Sequence, residues 1–214
     1  NERLLEAVRS LAYVQSEKSL VRVNYRDMGT EELGSVYESL LELHPRIDVE
    51  STPWSFGFMS DIENNGNRGS ARKLTGSYYT PPSLVNELIK SALEPVMAEA
   101  IKKRPENPRA ALLELKIIDP ACGSGHFLLA AARRMAAEIA RLESGTDTPD
   151  EQVRQRALRE VVRHCIYGVD VNPLAVELCK TALWIETVEP GKPLTFLDSH
   201  IICGNSLVGL MDPD

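Results

Sequence analysis

The chain has 214 residues, 43% of them hydrophobic and 26% charged, with a formal net charge of −7. This is the composition of a globular domain, and no apolar run reaches the ~18–20 residues of a membrane span. The acidic balance argues against a nucleic-acid grip of the chain's own, because phosphate neutralisation draws on a basic surface.

Residues 2–14 carry Leu4, Leu5, Val8, Leu11 and Ala12 at helical spacing. A second helix is expected from Thr30, as N-cap, to Leu43, with Leu33, Val36, Tyr37, Leu40 and Leu41 on one stripe and His44–Pro45 as its stop. "RIDVE" (46–50) and "WSFGFMS" (54–60) read as short strands, and "DIENNGNRGSARK" (61–73) as a polar loop. The basic cluster Arg68, Arg72 and Lys73 lies in that loop and reads as solvated. Thr80 before Pro81 and Pro82 marks a helix start, with Leu84, Val85, Leu88, Ile89 and Ala92 as its buried stripe. Pro95 should kink this helix or open a new one, and "RPENPRA" (104–110) reads as a turn.

From here strands and helices alternate. "LELKII" (113–118) is a buried strand, followed by helix 125–142, loop 143–151 and helix 151–163. "CIYGVD" (165–170) is a second strand, "PLAVELCKTALWIETV" (173–188) a helix and "HIICGNSL" (200–207) a third strand. That alternation predicts an α/β fold with a parallel sheet and right-handed crossovers, whose ligand binds beyond the carboxyl ends of the strands. Cys122, Cys165, Cys179 and Cys203 form no CxxC pair, so a zinc site is unsupported; three of them lie in or beside apolar runs and read as small apolar residues, and a reducing cytoplasm fits best. Trp54 and Trp184 are expected in the core or an interface, and His126 at a helix end rather than as a base. Three segments follow: a helical N-terminal segment (1–50), strands and a flexible loop (51–74), and a ligand-binding core (75–214). The charged start without Met, "NERLLEAVRS", and the close "LVGLMDPD" suggest an excised piece of a longer chain.

All three strand ends hold polar groups: "DPACGSG", "GVDVNP" and "CGNSL". Asp170 suits both ribose hydroxyls; Asn172 is the better cap for the helix that Pro173 opens, which leaves Asp170 free. Gly123 and Gly125 are expected to give the backbone room to approach a ligand, yet the loop Gly123–Ser124–Gly125 fails the dinucleotide fingerprint: Leu128 stands where a third glycine is wanted. Asp170 also follows Gly125 by more than twice the usual ~20 residues. No G-K-[ST] follows, so the P-loop reading fails too. Asp119, immediately before the loop, would repel a pyrophosphate and attract an ammonium or sulfonium, by ~1–3 kcal/mol at hydrogen-bond distance. The alternative for Asp119 is a strand-end residue capping its own turn. A nucleoside with a cationic tail fits all three features, and S-adenosyl-L-methionine has that layout.

"TGSYYTPP" (75–82), "DPACGSGHF" (119–127), "GVDVNPLAVELCK" (168–180) and "CGNSL" (203–207) resemble, in this order, the cofactor-binding motifs of DNA amino-methyltransferases. The nearest likeness is to N6-adenine enzymes of restriction–modification systems, including type IIG enzymes that fuse methyltransferase and nuclease; "LGSVYESLLEL" (33–43) is similar to that fused group. The resemblance spans about residues 30–207 and implies a Rossmann-like, partial doubly wound parallel sheet behind a mainly helical N-terminal segment. It places Tyr79 and Thr80 at the methionine end of S-adenosyl-L-methionine, and Asp119, Ala121, Cys122 and Gly123 along the methionine and sulfonium. It places Asp170 on ribose, Val171 beside adenine, Asn205 on the adenine amino group, and Ser206 and Leu207 beside the ring. The motif order is the gamma type, with target recognition after the catalytic half. Double-stranded DNA bound through a C-terminal recognition region, and a fused or associated nuclease, are the implied partners; a membrane is not.

The family's catalytic N/D-P-P-Y/F motif is missing: "NPRA" (107–110) and "NPLA" (172–175) do not qualify. In the family this motif holds a flipped base with its amino nitrogen in line with the methyl group. The chain alone is therefore expected to bind the cofactor and methylate nothing. A protein or small-molecule N-methyltransferase is the alternative within the fold, and a NAD-binding oxidoreductase module the alternative outside it.

Overall fold

A computed structural model describes residues 2–16, 19–25, 36, 45–58, 80–189, 191 and 196–208. The predicted helix 30–43 (apart from Val36), the loop 61–73 with its basic cluster, and Tyr79 lie outside the described residues. The chain divides into two units, Asn1–Leu33 and Gly34–Asp214.

In the first unit, α1 (Glu2–Ala12) leads into an antiparallel hairpin of β1 (Tyr13–Ser16) and β2 (Ser19–Arg22). The hairpin was not part of the helical segment expected there. It is tied back by the Val23 amide on the Ala12 carbonyl, at 2.9 Å. The leucine stripe of α1 is as predicted, but Leu4, Leu5, Val8 and Leu11 all stay exposed.

In the second unit, β3 (Pro45–Asp48) and β4 (Ser55–Phe58) pair antiparallel, where two short strands were expected. Next come α2 (Pro82–Leu88), a π-helical turn (Ile89–Leu93) and α3 (Glu94–Lys103). Pro95 accounts for the break: it has no N–H to donate, and its ring excludes the carbonyl four residues back. The helix answers by widening one turn, so that the Glu94 amide reaches the Ile89 carbonyl. The turn expected at 104–110 closes into a further helix, α4 (Pro108–Leu113). Asn107 caps it by accepting the Ala110 N–H at 3.1 Å, and Pro108 takes the first position.

The rest is β5 (Ile117–Asp119), α5 (His126–Ser144), α6 (Glu151–Cys165), β6 (Ile166–Asp170), α7 (Pro173–Thr187), α8 (Leu197–His200) and β7 (Ile201–Cys203). The alternation was correctly read, but the strands are shorter. Leu113 belongs to α4, so the first strand begins four residues later than expected. The three strands are parallel in the order β5-β6-β7.

In a sheet whose order follows the sequence, crossovers of one hand lay every helix on one face. Exposure bears this out. Ile166 and Ile201 are each 1% exposed, whereas Ile118 and Ile202, on the other face, are 65% and 51% exposed. Among the described residues α5, α6 and α7 cover one side of the sheet while Ile118 and Ile202 stay exposed on the other, an arrangement compatible with a partial Rossmann-like fold. The core lies between that covered face and α5, α6 and α7, around Leu128, Met135, Ile139, Val161, Val162 and Leu183. Arg109 of α4 reinforces the helical layer from outside, pairing with Glu143 of α5 and Glu160 of α6. Trp54 and Trp184 are 73% and 50% exposed, so neither is a core aromatic.

Met135 is fully buried, so Met135→Ala should lower unfolding free energy by about 2–5 kcal/mol. Ile118→Ala, on the bare face, should change it by less than about 0.5 kcal/mol. Urea unfolding of the two variants checks the one-sided sheet.

Candidate functional site

The register sets the carboxyl ends of the three strands side by side, with Asp119 opposite Gly168, and Asp170 opposite Cys203. Each strand end is knotted by its own side chain. Asp119 Oδ1 accepts the Ala121 N–H at 3.0 Å, Asn172 Oδ1 accepts the Leu174 N–H at 3.0 Å, and Asn205 Oδ1 accepts the Leu207 N–H at 3.0 Å. Asn172 is thus the helix cap, as the sequence indicated.

Asp170 is not left free by this. Its Oδ2 accepts the Gly123 N–H and its Oδ1 the Asn172 N–H, both at 2.8 Å. Its backbone carbonyl takes the Gly204 N–H at 2.9 Å. One residue therefore joins the glycine loop, the start of α7 and the end of β7. A carboxylate has about four acceptor sites, so each oxygen keeps one for a ligand hydroxyl. Ser206 closes the ring, donating its hydroxyl to the Pro120 carbonyl at 2.8 Å.

The two loop glycines have different duties. Gly123 has φ +52°, and a Cβ there would meet nothing within 4 Å: its bare side faces open space. Gly125 has φ +87°, and a Cβ there would fall 2.6 Å from Cys179 Sγ. The expectation that both make room for a ligand is therefore corrected. Gly123 opens the loop, while Gly125 lets it pack on α7.

Cys122 is also reassigned. Its side chain is 5% exposed and lies in the core cluster, and its N–H and carbonyl bind Val169 and Gly125. It supports the loop from below. Ala121 is exposed, as are Val171 (62%) and Leu207 (95%), which offer apolar surface at the rim. Thr80 is half-buried just ahead of α2, and Pro81 rather than Thr80 occupies its cap position.

Sequence reasoning missed Gly168, Gly204 and Cys179. A Cβ at Gly168 would meet Leu128 at 2.9 Å and Cys122 Sγ at 3.0 Å. A glycine inside the run "IYGVD" was the available signal, since strand glycines mark close approach.

Burial raises the pKa of Asp119, the neighbouring Asp170 carboxylate raises it further, and the Ala121 N–H pulls it down. Two carboxylates facing one loop form a site that a cation relieves. The ends of the parallel strands thus bring two carboxylates to one glycine loop, an arrangement that suits a positively charged ligand.

Residues 97–193 match the MmeI DNA-methyltransferase domain. The chain is 29% identical over 208 residues to a putative type II restriction enzyme and methyltransferase of Methanocaldococcus jannaschii, covering 77% of this chain and 17% of that protein. It is 30% identical over 162 residues to the adenine-specific methyltransferase PglX of Streptomyces coelicolor, covering 72% and 12%. The type II restriction enzyme and methyltransferase RM.Eco57I of Escherichia coli is 26% identical over 197 residues, covering 82% and 18%. The likeness to adenine methyltransferases of restriction–modification systems, first read from four motifs, is established. The chain spans less than a fifth of the length of these relatives.

Because the folded-state pKa of Asp119 is raised, folding favours its protonated form. That contribution is present at acid pH and is lost as pH rises through the raised value. Asp119→Asn should therefore stabilise the unliganded chain at neutral pH, with the gain vanishing towards the acid end of the carboxylate range. Urea unfolding of both proteins across pH checks the sign.

Proposed function

We propose that the rim formed by the ends of β5, β6 and β7 binds S-adenosyl-L-methionine. The chain would then be the cofactor-binding part of an N6-adenine DNA methyltransferase of a restriction–modification or phage-defence system. The observation that carries this is the convergence of Asp119 and Asp170 on one glycine loop whose open side is Gly123.

The residues present fit the cofactor. Asp170 has one free acceptor site on each oxygen for the ribose hydroxyls, after its two backbone partners are counted. Gly123 lets the methionine part approach the backbone, and the half-buried Asp119 carboxylate meets its positive charge. Val171 and Leu207 flank the adenine with apolar surface, and Asn205 accepts from its amino group on its second lone pair. Thr80 and Tyr79 would close the methionine end.

When bound, the cofactor supplies a methyl group on a sulfonium, which needs only an in-line nitrogen to accept it. This chain's residues hold and orient the donor and keep charge balanced around it. Residues 1–214 contain no N/D-P-P-Y/F, so the chain by itself should hold the donor without transferring the methyl group to DNA. In the full protein, double-stranded DNA is the substrate, read by a C-terminal recognition region, with a nuclease fused or associated. The acidic balance of this segment suits that division.

Isothermal titration tests the reading. The chain should bind S-adenosyl-L-methionine and not NAD. Asp170→Ala, which removes charge-assisted hydrogen bonds, should weaken binding about 10- to 100-fold. Equal affinity for NAD, or an unchanged Kd in folded Asp170→Ala, would overturn it.

A further inference from the structure

The glycine loop is seated from behind by a contact that ligand chemistry does not require. Cys179 of α7 is 0% exposed. A Cβ at Gly125 would lie 2.6 Å from its sulfur, 3.4 Å from its Cβ and 3.5 Å from its Cα, so loop and helix meet with no slack. The Cys179 thiol also lies beside the Cys122 thiol. Cys122 in turn fills the space above Gly168, where a Cβ would stand 3.0 Å from its sulfur. Loop, β6 and α7 thus come together on two sulfur atoms. Hydrogen bonding to Cys122, burial, and the Asp119 and Asp170 carboxylates push the Cys179 thiol pKa upward. It is a neutral spacer, not a nucleophile.

We propose that Cys179 is a positioning residue for the cofactor site: its side chain sets the depth at which the Gly123–Gly125 turn sits and so where the Gly123 N–H meets Asp170. The inference rests on the cofactor reading above for its effect on binding, but not for its effect on the loop. The reason is steric. Protein interiors respond to added volume by moving whatever is least held. Here α7 is fixed by its packing on α6 and β7, whereas the turn, anchored at its ends by the Cys122 N–H on the Val169 carbonyl and the Gly125 N–H on the Cys122 carbonyl, is held at its tip by the single hydrogen bond from Gly123 to the Asp170 side chain. A larger residue at position 179 therefore lifts the turn off Asp170. A smaller one leaves the turn on its hydrogen bonds above a small void.

The test compares Cys179→Leu, Cys179→Ala and a control, Leu183→Ala, equally buried on the same helix. Hydrogen exchange at the Gly123 amide is followed by NMR, and S-adenosyl-L-methionine affinity by calorimetry. Cys179→Leu should speed Gly123 exchange at least tenfold and weaken binding at least tenfold. Cys179→Ala should change each less than threefold, and Leu183→Ala should lower Tm while leaving both readouts in place. Gly123 exchange in Cys179→Leu no faster than in Leu183→Ala would overturn the proposal. Should Cys179→Leu not fold, the pair Gly125→Ala and Gly125→Ala/Cys179→Ala decides the matter. Removing the sulfur should restore at least threefold of the protection lost at Gly123, and no restoration would overturn it. A wild-type chain that ignores S-adenosyl-L-methionine would refute the cofactor reading, while the exchange comparison would still judge Cys179.

Discussion

The site hangs on the carboxylate of Asp170. Its two oxygens hold the Gly123 and Asn172 amides, and its own carbonyl holds Gly204. Three loops from three strands are thereby fixed by one residue, with Ser206 on Pro120 completing the ring. Charge-assisted hydrogen bonds of this kind are about twice as strong as neutral ones. The same residue that would meet the ribose therefore shapes the loop that would meet the methionine. Loss of Asp170 removes a ligand contact and a structural tie together, so its substitution is expected to affect binding more than any other rim residue.

Around that tie, charge decides what the site accepts. Asp119 is half-buried beside a second carboxylate, an arrangement that raises its pKa and is electrostatically unfavourable by itself. A cationic ligand reverses the balance and an anionic pyrophosphate worsens it. Glycine loops on α/β sheets serve both kinds of ligand, so the carboxylates carry more of the assignment here than the glycines do.

Much of this was legible in the sequence because it is local. The alternation of strand and helix, the cap at Asn172, the Pro82 and Pro173 helix starts and the placement of polar residues at strand ends all follow from short-range pattern. What the sequence concealed is long-range. The π-helical turn before Pro95 depends on how a helix absorbs a missing donor. Gly125 looked like a ligand-facing glycine until α7 was placed behind it, 54 positions away in Cys179. Asp170 looked free because one of its two backbone partners, Gly123, lies in another loop. Trp54 and Trp184, expected in the core or an interface, are exposed, and the covered face of the sheet is filled by leucine, valine and alanine from three helices.

The most direct measurement is a crystal structure of this chain with S-adenosylhomocysteine, the product form of the proposed cofactor. The account predicts ribose hydroxyls within hydrogen-bond distance of Asp170, the amino-acid end over Gly123 beside Asp119, and the adenine ring between Val171 and Leu207. A ligand bound elsewhere on the chain, or one whose ribose does not touch Asp170, would contradict it.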